Sequence, residues 1–183
     1  MRSGMPIDID RHSMGTFIIA SLFAFASIGA SASVDRDGPS AFIAAPDSVP
    51  ALNQKVIEFV KANMNRKVGR GECWDLAANA LEHAGAQWDG SYGFGSPVDP
   101  AKDQVFSGDI VQFENVVTQD RSGNVKREEK MPKHTAIIYR VVQPGVYDIA
   151  HQNTDVTGRK VGTSRFVLDH VVRGKVTIYR PVQ

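Results

Sequence analysis

The chain contains a single cysteine, and the stretch around it constrains the fold more than any other. Gly71-Glu72-Cys73-Trp74-Asp75-Leu76-Ala77-Ala78-Asn79-Ala80-Leu81-Glu82-His83-Ala84-Gly85 turns helical after Gly71 and stops at a glycine of the kind that closes helices. Leu76, Ala77, Ala80, Leu81 and Ala84 recur at helical spacing and mark one apolar face. Cys73 falls in the first turn, aligned with Ala77, Ala80 and Ala84. Its sulfur is therefore expected to point toward whatever the helix packs on, and the small alanines let that partner come close. Unpaired backbone N–H groups and the positive end of a helix dipole favour a thiolate at such a position, and the thiolate is the form that attacks. A sheet carrying a histidine on the packing side would complete a nucleophile and base.

A chain of 183 residues suits one domain plus a leader. Its 21 basic and 20 acidic residues nearly cancel, which gives no general drive toward nucleic acid or membrane surfaces. One cysteine cannot close an internal disulfide, so the thiol is either inert and buried or chemically employed.

The N-terminus reads as an export signal over residues 1–32. Arg2, Arg11 and His12 precede the apolar run Phe17–Ala26, and Ala30-Ser31-Ala32 has the form of a cleavage site. The rival reading is a membrane anchor, for which the run is short of the roughly 20 residues a span needs. Cleavage after Ala32 leaves no stable membrane insertion and makes the protein secreted or periplasmic. Residues 33–48, rich in Ser, Asp, Gly, Pro and Ala, read as a linker. The folded domain is expected over 49–183.

That domain opens with a helix capped by Ser48, with Pro50 in its first turn and Leu52, Val56, Phe59, Val60 and Met64 as its buried stripe. Asn65–Arg70 is a basic lead-in to the cysteine. After Gly85 a Gly-, Ser- and Pro-rich loop reaches Asp103, and its aromatics Trp88, Tyr92 and Phe94 are expected to line a cleft. Gly93-Phe94-Gly95 lacks the third glycine and the strand–turn–helix setting of a nucleotide fingerprint. Strands follow at 110–114, 134–142, 146–153 and 174–181, with a short helix at 164–171. Residues 115–133 form a charged arm whose tip is Ser122-Gly123-Asn124.

The turn Gln143-Pro144-Gly145-Val146 fits type II. Counted back without a bulge, Ile138 faces His151, Ala136 faces Asn153 and His134 faces Asp155. Side chains alternate along strands, so His134, Ala136, Ile138, His151 and Asn153 share a face, expected to be the one under the Cys73 helix. Asn153 lies diagonally beside His134, where it would hold the imidazole in one tautomer. His151 is one step further, and a bulge would bring it closer. Metal binding by Cys73, His134 and His151 has no HExxH or CxxC spacing behind it, so no metal or cofactor is expected.

Gly71–Ala77, then Ser107-Gly108-Asp109-Ile110-Val111-Gln112-Phe113, His134-Thr135-Ala136-Ile137-Ile138 and His151-Gln152-Asn153 together resemble the CHAP family of cysteine amidases and peptidases, within the wider NlpC/P60, papain-like group. They also resemble the cysteine-proteinase-like domains of plant and fungal proline-rich proteins. The resemblance spans about residues 50–182. It implies an α+β papain-like fold with N-terminal helices on an antiparallel sheet. It also implies Cys73 as nucleophile, His134 as base, and His151 and Asn153 as the residues that orient the base. Two positions depart from the family pattern: His151 stands where Glu is usual, and Glu72 where Gln is usual. The function expected is an exported cysteine amidase or endopeptidase acting on peptide or cell-wall amides. The alternatives are a binding module in the same fold that has lost efficient chemistry, and a thiol redox sensor.

Overall fold

Two helices begin the described part of the chain, and both form where apolar spacing and end signals agree. The computed structural model describes residues 48–122 and 125–183; the leader, its cleavage site, most of the linker and the arm tip at Gly123-Asn124 lie outside the described residues. Helix α1 runs Ala51–Ala62. Pro50 rather than Ser48 takes the cap position, and its carbonyl accepts from the Gln54 N–H at 3.0 Å. A proline there loses no bond, because the first N–H groups of a helix have no internal partner. Val56 and Val60 are wholly buried, and Leu52, Phe59 and Met64 pack against them. Helix α2, Cys73–Ala84, ends at Gly85 in the left-handed conformation, φ 73°.

A single antiparallel sheet follows: β1 Ser96–Val98, β2 Ile110–Ser122, β3 Val125–Gln143, β4 Val146–His151, β5 Gly162–Val167 and β6 Val171–Arg180, in the spatial order β1-β6-β2-β3-β4-β5. The charged stretch 115–133 is not separate from the strands. It is the outer half of a β2–β3 ribbon whose pairing continues to Ser122↔Val125. The helix expected at 164–171 is instead β5 and a 3₁₀ turn at Leu168–His170. Phe166 explains the difference: buried against Phe113 and Tyr147, it draws the segment into the sheet.

The sheet is apolar on both faces. The helices cover one: Val56, Val60, Leu76, Ala77, Ala80 and Leu81 pack on Ile110, Ile137 and Ala150. Val111, Phe113, Ala136, Ile138, Ile149 and Phe166 fill the other. Ala136 and Ile138 therefore do not lie under α2; the odd-numbered Ile137 does. Of the loop aromatics expected to line a cleft, only Phe94 is sealed in the core; Trp88 and Tyr92 stay half-exposed, and the Lys133 ammonium lies 3.4 Å from the centre of the Tyr92 ring. Phe94 is buried, stacked on Trp88 and edge-on to Tyr179, and Trp88 meets Trp74.

The Ser107-Gly108-Asp109 turn fixes α1 to the sheet. A Cβ on Gly108, at φ +90°, would sit 2.4 Å from the Asn53 carbonyl oxygen, so only glycine fits this close approach. Asp109 is fully buried. Its carboxylate accepts from Asn53 Nδ2 at 2.8 Å, from the Phe106 N–H at 2.9 Å and from both Nε and an Nη of Arg180.

Candidate active site

Cys73 takes its position from the loop in front of it. Asp75 is buried in the first turn of α2, and one of its oxygens accepts from the Arg70 and Glu72 N–H groups at 2.7 and 3.2 Å. The other pairs with the Arg70 guanidinium at 2.9 Å. Burial alone would push this carboxyl up, but the bonds from Arg70 and the two backbone N–H groups outweigh it and hold it below the usual range. Arg70 is thus committed to Asp75, and its charge serves the loop. Gly71, at φ +90°, lets the loop pass: a Cβ there would lie 2.8 Å from the Cβ of Arg159.

His134 and His151 come from neighbouring strands. The turn pairs Gln143 with Val146 as expected, but two register shifts follow, between Val141 and Gln143 and between Ile138 and Arg140. Each displaces the pairing by one residue. Together they restore the original facing and bring Ile138 opposite Ile149 and Ile137 opposite Ala150. His151 is thereby carried one diagonal step closer to His134 than a plain hairpin allows. The rings meet with His134 Nε2 and His151 Nδ1 3.0 Å apart, at an interplanar angle of 73°. Phe113 lies beside the His134 ring, with centroids 6.1 Å apart. Burial pushes both imidazoles down to about 4, and for His151 the neighbouring ring adds to the effect. At neutral pH the pair is uncharged, so the bond between the rings is a single N–H···N.

Asn153 is not bonded to His134. It is exposed, in the left-handed conformation at φ 62°, and its amide donates to Glu72 Oε2 at 2.7 Å. The shifts explain this too: they put His151 where the unbulged count placed Asn153. Glu72 is also paired with Arg159 at 3.2 Å. Both positions that depart from the family pattern are thus engaged, Glu72 by Asn153 and Arg159, His151 by His134.

Sequence reading passed over Gln152. It is fully buried, and its side chain makes three bonds to the loop before the cysteine: Oε1 accepts from the Val68 N–H at 3.2 Å, and Nε2 donates to the Val68 and Glu72 carbonyls at 2.9 and 2.8 Å. It ties the end of β4 to the residue preceding Cys73. Its only signal was its place between two candidates.

Helix α2 lies across the sheet from the imidazoles, yet its first turn reaches the point where β4 leaves the sheet. There a cavity of about 860 Å³ is lined by Cys73, His134, His151 and Asn153 together, with Glu128–Lys133 of the arm along one wall. Cys73 is partly exposed, and among the described residues its sulfur makes no hydrogen bond to either ring.

The chain is 28% identical over 153 residues to "Altered inheritance of mitochondria protein 3" of Debaryomyces hansenii; the match takes in 72% of this chain and 16% of that protein, so the chain spans about a sixth of the relative's length. Two crystal structures of Ly7917, one of them "with the hydrolyzing product of MDP", align at TM-scores of 0.41 and 0.43 with 17% identity, over 69% and 70% of this chain and 62% of theirs. The model of the AIM3/BBC1 cysteine proteinase-fold domain matches residues 50–183, which takes in both helices, every strand and all four candidate site residues, and the chain belongs to that family.

Proposed function

We propose that the domain is a cysteine amidase or endopeptidase that cleaves peptide amide bonds through a thioacyl intermediate. The observation that carries this reading is the shared cavity: the sole thiol, at a helix start, opens onto the same space as two hydrogen-bonded imidazoles. When His134 Nε2–H donates to His151 Nδ1, Nδ1 of His134 keeps a lone pair. That nitrogen takes the thiol proton as the sulfur attacks the carbonyl carbon. The backbone N–H of Cys73 is available to the oxyanion. The proton then passes to the departing amine, the C–N bond breaks, and water cleaves the thioester to release the acid and restore the thiol. Cell-wall peptides are the substrate the family resemblance favours. Export after cleavage at Ala32 is part of the same proposal, and the mass of the mature N-terminus tests it.

Cys73→Ala tests the chemistry. The variant is expected to lose all hydrolysis of peptidoglycan and fluorogenic peptide amides while keeping its circular dichroism and melting temperature. Cleavage by the alanine protein at the wild-type rate would refute the proposal.

One observation favours the second reading, a binding module. A neutral imidazole stands where a carboxylate is usual, so the imidazolium that forms on His134 during attack has a hydrogen-bond acceptor beside it but no counter-charge. Peptide binding by wild-type and Cys73→Ala proteins alike, with neither cleaving, would establish it.

A further inference from the structure

The lane that β4 vacates gives this site a direction. β2 pairs with β3 from Ile110↔Ile137 out to Ser122↔Val125. β4 meets β3 only between Gln143↔Val146 and Ile137↔Ala150. Toward its tip, then, β3 has β2 on one edge and, among the described residues, no strand on the other. An edge of free N–H and C=O groups is a template for another chain. The Ile138 N–H donates to the Asp109 carbonyl at 2.8 Å, and its own carbonyl accepts from the Gly108 N–H at 2.7 Å. Ile138 therefore faces β2. Directions alternate in an antiparallel ladder, so Lys133 turns its main-chain groups into the vacated lane. Beyond Lys133 the edge continues through Pro132 to Glu128, and this whole run walls the cavity that holds Cys73.

A lane beside one strand has room for one more, at about 4.8 Å. Its rim carries both signs of charge, Glu128, Glu129 and Asp155 against Lys130, Lys133 and Arg165. Glu128 is already paired with Lys126 and Lys130, and Arg165 with Asp148. Side-chain charge thus gives no strong selection, and the groups left to recognise are amides. We propose that an extended peptide docks as an added strand along Glu128–Lys133, held through its main chain, with one end delivered to Cys73. The six residues of this edge span about 20 Å. The proposal rests on the hydrolase reading for what happens at that end, and the docking itself does not require turnover.

The test uses a bromoacetyl-capped hexapeptide on the full chain. The Cys73 sulfur displaces bromide, a C–S bond forms and the thiol proton goes to buffer, which tethers the peptide in the site. Amide hydrogen exchange is then compared with protein capped by iodoacetamide. At least tenfold slowing at alternate residues within 128–133 is expected. N-methylation of alternate peptide amides should abolish it, and N-methylation of the intervening amides should not. Unchanged exchange along the arm, or protection without this period of two, would overturn the proposal. The same measurement on Cys73→Ala with the free hexapeptide separates the two readings. Arm protection there, with no cleavage by wild type, retains docking and removes the hydrolase; no arm protection in either experiment removes docking whatever the enzyme does.

Discussion

The two imidazoles set the pH behaviour at the scale of single residues. Folding holds each ring near 4 against an ordinary value of 6.5, chiefly by burial. Between those values the unfolded chain binds more protons than the folded one, so stability falls as pH drops from about 6.5 to about 4 and levels off below. The rings touch and titrate as a pair, so the loss belongs to the pair and is on the order of a few kcal/mol. Urea denaturation at pH 7, 5.5 and 4.5 should show the decline, and His151→Phe should reduce it. Activity reads the same groups differently. In the proposed mechanism His134 is the base, and burial holds its imidazole near 4, so the acid limb of kcat/KM is expected there. His151→Glu places a carboxylate beside His134, which favours the imidazolium and raises its pKa. The acid limb should then move up by at least one pH unit. A limb that stays in place would mean that His151 does not sit against the reacting base.

Among elements, the join between β4 and α2 matters most, and Gln152 makes it. Gln152→Leu keeps the volume but strands the Val68 N–H and C=O and the Glu72 C=O without their side-chain partner. A loss of about 2–4 kcal/mol is expected in urea denaturation, with kcat falling more than KM rises, because Cys73 loses its register with the imidazoles. This join also marks where sequence reading stopped being sufficient. Both helices were legible, since apolar spacing and Gly85 act locally. The Gln143–Val146 pairing was legible for the same reason. The facing of the hairpin was not. Ala136 and Ile138 are as apolar as Ile137, and only the packing of Leu76, Ala77 and Leu81 decides which set lies under the helices. The effect of a bulge on His151 was legible but its place was not, since neither register shift has a glycine to announce it. Phe166 reads equally well in a helix or a strand until Phe113 and Tyr147 are beside it.

Across the whole molecule, the buried Asp109 joins parts of the chain that no single element connects. Asn53 of α1, the 106–109 turn and Arg180 at the end of β6 all converge on its carboxylate. Asp109 is fully buried and the Arg180 side chain is mostly so, at 26% exposure, so the attraction is little screened and the cost of leaving either charge alone is high. Asp109→Asn strands the Arg180 charge, and Arg180→Met strands the Asp109 charge. Each should cost roughly 3–5 kcal/mol. The double variant removes both charges together and is expected to recover at least half of that loss, because no buried charge is left without its counterpart. Thermal denaturation of the three variants measures this. Strictly additive losses in the double variant would show that Asn53 and the Phe106 N–H hold the carboxylate independently of Arg180, and that the helices are anchored to the sheet without the last strand.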